Sequence, residues 1–233
     1  MSSQDPHHFH KEYPKSRPET DFWGQVKRTV NGKSVSEEQI AQIVATIQNN
    51  LHLAPTDILL DLGCANGALT DRLFAQCMGG VGVDFSEYLI SIAHKYFQQL
   101  PDRAYILGDA VDFVSTTMDT QRFTKALCYG VFQYLPADNA RKLLTSLRQR
   151  FPQVSSFFVG NLPNKAKMHD FFRERDYRPG IENDPYSAIG IWRTEEEFKK
   201  LAADCGWEAT CSHMPKDFFA AHYRFDALLK PLP

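Results

Sequence analysis

The sequence predicts an α/β domain built on a mostly parallel sheet with helices on both faces. Three observations predict it. The runs "DILLDLG", "GGVGVDF", "RAYILGDA", "FTKALCYG" and "VSSFFVGN" are almost continuously apolar, as strands buried on both faces are. Helix-like stretches separate them, so strands and helices alternate along the chain. The length, 233 residues with 43% hydrophobic and 23% charged, suits one such domain with elaborations.

The elements follow in order. "SVSEEQIAQIVATIQNNLHL" predicts an amphipathic helix: Ser36 and Gln39 have capping-box spacing, and Ile40, Ile43, Val44 and Ile47 form one stripe. After the first strand comes the helix "ALTDRLFAQC", and after the second Ser86 caps "EYLISIAHKYFQQL". A helical stretch around "VDFVSTTM" follows the third strand, and "ADNARKLLTSLRQRF" follows Pro136 and the fourth. Residues 161–193 break this rhythm and are too long for an ordinary connection, which marks them as a functional insertion. Thr194 then caps "TEEEFKKLAADCGW", and "EATCSHM" and "YRFDALLK" close the chain as two strands. The expected organisation is a leader and lid over 1–35 and a main domain over 36–233 carrying the 161–193 lid.

Composition excludes several function classes. A net charge of −2 provides no basic footprint for nucleic acid. Five cysteines are scattered without a C-x-x-C pair, which suits a reducing compartment rather than a disulfide framework. No apolar run is long enough to span a bilayer and the leader has no apolar signal core, so a soluble cytoplasmic protein with no membrane partner is expected. "HHFH" at 7–10 lacks a carboxylate or cysteine at ligand spacing and reads as a mobile terminal segment, so no metal is expected.

The chemistry is expected in "LLDLGCANGALT", where a buried strand turns into a helix. In open α/β sheets ligands bind at the carboxyl ends of the strands, where the strand order reverses. The loop lacks the lysine of a phosphate-binding P-loop. Gly63 and Gly67 stand four apart with no glycine after them at the third position, which weakens a dinucleotide fingerprint and keeps an NAD-dependent oxidoreductase as a distant alternative. Asp84 ends the second strand 17 residues beyond Gly67, where an acceptor-only carboxylate can take both hydroxyls of a ribose. "GDA" at 108–110 ends the third strand.

This register, with Asp61 before the loop, resembles the class I methyltransferases that use S-adenosylmethionine (SAM). Ala65 stands where that family's middle glycine is commonest. The resemblance implies a Rossmann-like, doubly wound, seven-stranded sheet in order 3-2-1-4-5-7-6 with strand 7 antiparallel. It implies SAM as cofactor, held by Asp61, Gly63, Cys64, Ala65, Gly67, Asp84, Phe85, Asp109, Ala110 and Tyr129. In that family Asp109 would bind the adenine amine and the Ala110 backbone a ring nitrogen.

Methyl transfer is an in-line displacement that needs alignment, exclusion of water and sometimes removal of a proton. Tyr129, Phe132, Gln133 and Tyr134 end the fourth strand and Asn161 the fifth, where the reacting group should lie. Tyr134, Asn161, His169 and Tyr129 are the candidate catalytic residues. Tyr13 and Trp23 of the leader, Phe132 and Gln133, and Tyr177 and Trp192 of the insertion are the candidate substrate and lid residues. The base-methylase asparagine-proline motif is missing after strand four, so the expected acceptor is a small molecule. Two alternatives stay open: a module that binds SAM without chemistry, and an enzyme attacking the aminocarboxypropyl arm. The latter would either transfer that arm or close SAM to azetidine-2-carboxylate and methylthioadenosine.

Overall fold

The computed structural model describes residues 8–173 and 175–233. His7 of the histidine run therefore lies outside the described residues, while His8–Glu12 form one short helix. Seven strands make the central sheet: β1 (Ile58–Leu62), β2 (Gly79–Asp84), β3 (Arg103–Leu107), β4 (Lys125–Tyr129), β5 (Ser156–Pro163), β6 (Trp207–Ser212) and β7 (Arg224–Pro231). Their order is β3-β2-β1-β4-β5-β7-β6, with β7 antiparallel to both neighbours. That is the doubly wound, seven-stranded order the resemblance implies.

Six helices pack on the sheet: α1 (Glu37–Leu51), α2 (Ala68–Phe74), α3 (Glu87–Tyr96), α4 (Ala110–Thr116), α5 (Ala137–Arg150) and α6 (Glu195–Asp204). Two cores result. Leu60, Val81, Phe123, Leu143, Phe157, Phe198 and Trp207 belong to the one that receives α4, α5 and α6. Ile40, Ile43, Ile47, Leu59, Leu73, Phe74 and Ile90 belong to the other, which receives α1, α2 and α3. Burying an aliphatic or aromatic side chain of this kind contributes roughly 1.5–3 kcal/mol, which is why the apolar stripes set the helix faces.

Caps fix the helix starts. Thr194 and Glu197 make a complete capping box on α6, satisfying two of the end's free N–H groups reciprocally. On α1 only half of the expected box forms. Ser36 Oγ accepts from the Gln39 N–H, but the Gln39 side chain turns to Asp217 and Phe219 instead. A tertiary partner outcompetes the local one there.

The leader contains a hairpin that the sequence reading passed over, Thr29–Val30 against Lys33–Ser34. Its turn is Asn31-Gly32, both at positive φ, the dipeptide favoured by tight hairpin turns. The insertion is shorter as irregular chain than expected, because β5 runs on to Pro163 and Met168–Phe172 is helical. Among the described residues no helix is long and apolar enough to cross a membrane.

Candidate cofactor and acceptor site

The loop after β1 needs its glycines for two physical reasons. Gly63 (φ +90°) and Gly67 (φ +79°) adopt backbone that side chains disfavour. A Cβ at Gly63 would also lie 2.4 Å from Val131 Cγ2, and one at Gly67 would lie 2.8 Å from the Tyr105 ring. Ala65 takes φ +51° without being glycine. Its N–H donates to Asp84 Oδ2 at 2.9 Å, and the Ser86 N–H donates to Asp84 Oδ1 at 2.9 Å. Two backbone donors thus aim the Asp84 carboxylate over the loop, while burial raises its pKa to about 6.

Asp61 lies beneath. Thr70 Oγ1 donates to its Oδ2 at 2.5 Å, and burial raises its pKa to about 7. Cys64 is buried, with its thiol pushed up by burial, so it is an inert packing residue of the loop. Phe85 is half-buried beside Asp84, with Lys11 5.7 Å above its ring. Asp109 caps α4, its Oδ1 accepting from Val111 and Asp112, and Ala110 opens the helix behind it. These positions all lie along the carboxyl edge of β1, β2 and β3.

The leader is latched onto this loop. Asn66, 1% exposed, donates to the Phe22 carbonyl and to Gln25 Oε1, both at 2.8 Å. Glu19 holds Lys95 and Tyr96 of α3. Trp23 is buried against α1 and α2, its indole N–H donating to Glu37 and its ring under Arg72. Tyr13 is half-buried with Lys27 4.7 Å from its ring. The latch delivers a residue that sequence reasoning missed. Arg28 stands 5.7 Å from the ring centres of Trp23 and Tyr129, and burial lowers its pKa against the pull of Tyr129 and Asp61. A guanidinium brought to this loop from just before a hairpin, 35 residues ahead of Gly63, leaves no local sequence signal.

The candidate acceptor side lies at the ends of β4, β5 and the start of β7. Because β7 is antiparallel, its first residues reach the same edge as the last residues of β4 and β5. A register shift interrupts β5 between Val159 and Leu162, and Asn161 sits there at φ +64°. Two buried groups hold it: its N–H donates to Asp226 Oδ1, and its carbonyl accepts from Arg224, both at 2.7 Å. Bulges of this kind re-aim side chains beside active sites. Burial raises the pKa of Asp226 to about 6 and pushes the Tyr129 phenol far up. Arg224 and Asp226 were also missed, because "YRFDALLK" reads as an ordinary closing strand.

The remaining candidates divide. Tyr134 meets both the leader and the insertion: His10 packs edge-on at 4.6 Å, and the Tyr134 hydroxyl donates to the Ala188 carbonyl at 3.0 Å. Gln133 is buried and donates to the Gly130 carbonyl, behind this edge. Trp192 is buried in a ring cluster with Phe171, Phe172 and Tyr223. Phe132 is fully buried edge-on to Phe198, on the α6 side of the core. Tyr177 is exposed at the insertion surface, its hydroxyl directed to Glu182. His169 has an 89% exposed side chain beside Asp170, away from Tyr129 and Asn161. Helix Met168–Phe172 turns Phe171 inward, which leaves His169 outward. Among the described residues no cluster of histidine, cysteine and carboxylates could hold a metal.

Comparison with known proteins agrees with this geometry. The model of a methyltransferase domain family matches residues 59–151, which span β1 to the end of α5. An uncharacterized methyltransferase of Schizosaccharomyces pombe is 35% identical over 104 residues, 42% of this chain and 36% of that protein. The match therefore spans about a third of that relative's length. A DhpI complex with SAM and HEP superposes with a TM-score of 0.66 at 14% identity, covering 99% of this chain and 100% of that one. Magnesium protoporphyrin IX methyltransferase of Synechocystis PCC 6803 with bound SAM superposes at 0.60 and 16% identity, covering 99% of each chain. The methyltransferase domain of a bacterial Hen1 gives 0.61 and 17%, covering 82% of this chain and 99% of that one. Residues 59–151 therefore match a methyltransferase domain, and the chain shares its fold with methyltransferases solved with SAM bound.

Proposed function

We propose that this protein transfers the methyl group of SAM to a small-molecule acceptor. The observation that carries the reading is the convergence of both lids on Tyr134, through His10 and Ala188. A roof closed from two sides suits a small acceptor better than a polymer, which needs an open groove. The net charge of −2 points the same way.

The residues present fit the cofactor. Asp84 keeps a free lone pair on each oxygen for the ribose hydroxyls, since each already accepts one backbone N–H. Asp109 and Ala110, just after β3, would take the adenine. Arg28 answers a carboxylate and Asp61 an ammonium, the two charges of an amino-acid tail. When bound, SAM supplies an electrophilic methyl group on a cationic sulfur. The Tyr129 phenol, its pKa pushed up by burial, stays neutral beside that cation. Asp226 Oδ2 is buried without a hydrogen-bond partner and is the group set to take a proton from the acceptor. With its pKa near 6, Asp226 is mostly ionised at neutral pH.

The test is incubation of the full chain with SAM, with and without a pool of small polar metabolites, followed by identification of the nucleoside product. S-adenosylhomocysteine formed only with the pool supports the reading. Methylthioadenosine formed from SAM alone would redirect it to the aminocarboxypropyl arm. Methyl incorporation into RNA or protein in preference to the pool would overturn the small-molecule assignment.

A further inference from the structure

Four polar side-chain atoms at the acceptor edge are buried without a hydrogen-bond partner: Tyr129 Oη, Asn161 Oδ1, Arg224 Nε and Asp226 Oδ2. Leaving such a group unsatisfied is destabilising, more so when it is charged. Native proteins rarely tolerate several together unless something else satisfies them. The topology explains why they gather. β4 ends at Tyr129, the β5 bulge presents Asn161, and the antiparallel β7 starts at Arg224. Arg224 and Asp226 each spend one atom locking Asn161 and each keep one atom in reserve.

Arg224 is the most expensive of the four. It is 8% exposed, and among the described residues it forms no ion pair with a carboxylate. The Tyr223 ring lies 4.6 Å from its guanidinium carbon and fixes the plane of the fork. An unpaired buried guanidinium is tolerated when an anion completes it, and its planar donors match a carboxylate or phosphonate. It is distinct from Arg28, which comes from the leader and stands over the Tyr129 ring.

We propose that the acceptor is a small molecule carrying an oxyanion, seated on Arg224, together with a hydroxyl or amine that donates to Asn161 Oδ1 and Asp226 Oδ2. Arg224 is then the residue that determines specificity. This assignment rests on the methyltransferase reading above and names the substrate class of the same site. It places the protein after a reaction that produces a hydroxy or amino acid, or the corresponding phosphonate.

The experiment uses the full chain saturated with S-adenosylhomocysteine and three probes of one shape: 3-hydroxybenzoate, 3-hydroxyphenylphosphonate and 3-hydroxybenzamide. Affinities are measured by titration calorimetry or ligand-detected NMR for the wild type, Arg224→Gln and Arg224→Lys. At least one anion should bind tenfold or more tightly than the amide, and whichever anion is preferred identifies the oxyanion. Arg224→Gln should abolish the preference and Arg224→Lys should keep part of it. Affinity for S-adenosylhomocysteine should stay within threefold in both variants, which also shows that they fold. No preference in the wild type, including no binding of any probe, overturns the proposal, as does a preference that survives Arg224→Gln. A wild type that fails to bind S-adenosylhomocysteine would instead defeat the cofactor reading, and the three probes are then compared on the unloaded protein.

Discussion

The Ala65 amide donates to Asp84 Oδ2 at 2.9 Å, so the glycine loop and the carboxylate beside it are one hydrogen-bonded unit. Replacing Asp84 by Ala removes the proposed ribose acceptor and orphans the Ala65 and Ser86 amides together. SAM affinity should fall by roughly 1.5–3 kcal/mol, about 10- to 150-fold. Calorimetry checks this, and an unchanged dissociation constant would mean that the ribose is held elsewhere.

Ala65 and Gly63 should respond in opposite directions. A non-glycine residue in left-handed backbone carries roughly 1–2 kcal/mol of strain, offset in part by the greater unfolded-state freedom of glycine. Ala65→Gly should therefore raise stability by up to about 1 kcal/mol and leave SAM binding intact. Gly63→Ala adds both the same strain and a clash with Val131, and should lose SAM binding along with stability. Thermal melts of the two variants with and without SAM decide it.

The Asn66–Gln25 bond ties the leader to the loop. Gln25→Ala leaves a buried amide short of a partner and should cost about 1–3 kcal/mol. The loss should be local: hydrogen exchange should speed up over 18–30 and far less in β1 and β4. Added SAM should slow exchange over the same residues in the wild type. Uniform acceleration across the sheet would contradict a local latch.

Arg28 makes a prediction that separates tail from nucleoside. Arg28→Ala should weaken S-adenosylhomocysteine about tenfold or more, as loss of a charged hydrogen bond does. Methylthioadenosine, which lacks the carboxylate, should bind the variant and the wild type alike. Equal losses for both ligands would place Arg28 in folding rather than in recognition.

Asp61 links the site to pH. Its folded pKa is raised to about 7 from the usual 3.8, chiefly by burial, with Asp84 adding to the rise and Thr70 and Arg28 opposing it. Stability from a raised carboxyl is fully present below pH 3.8 and is lost as pH rises through about 7. Asp61→Asn cannot ionise, and its carbonyl still accepts from Thr70. The stability of Asp61→Asn relative to wild type should therefore grow between pH 4 and about 8, reaching on the order of 1–3 kcal/mol in the cofactor-free protein. Denaturant melts at several pH values would show a flat difference if Asp61 were already charged at low pH.

What the sequence determined by itself are the features whose causes are local. Apolar runs of strand length, the Ser86 and Thr194 caps and the glycine turn after β1 each encode their structure within a few residues. A positive φ favours glycine, as at Gly63 and Gly67, and a strand buried on both faces is apolar nearly throughout. The proposed cofactor site could be named for the same reason, since Gly63, Gly67, Asp84 and Asp109 follow strand ends in a fixed order. The proposed acceptor site draws on tertiary structure. Arg28, Arg224 and Asp226 come from the leader and a closing strand, and only the sheet order with its antiparallel β7 brings the strand to Tyr129 and Asn161. Gln39 leaves its local cap for Phe219 because an amide 180 residues away offers the better partner. His169 and Phe132 had the right chemistry nearby in sequence, but the turn of a helix put one in water and core packing took the other. Direction and burial are settled by what packs against a residue, and that information is spread over the whole chain.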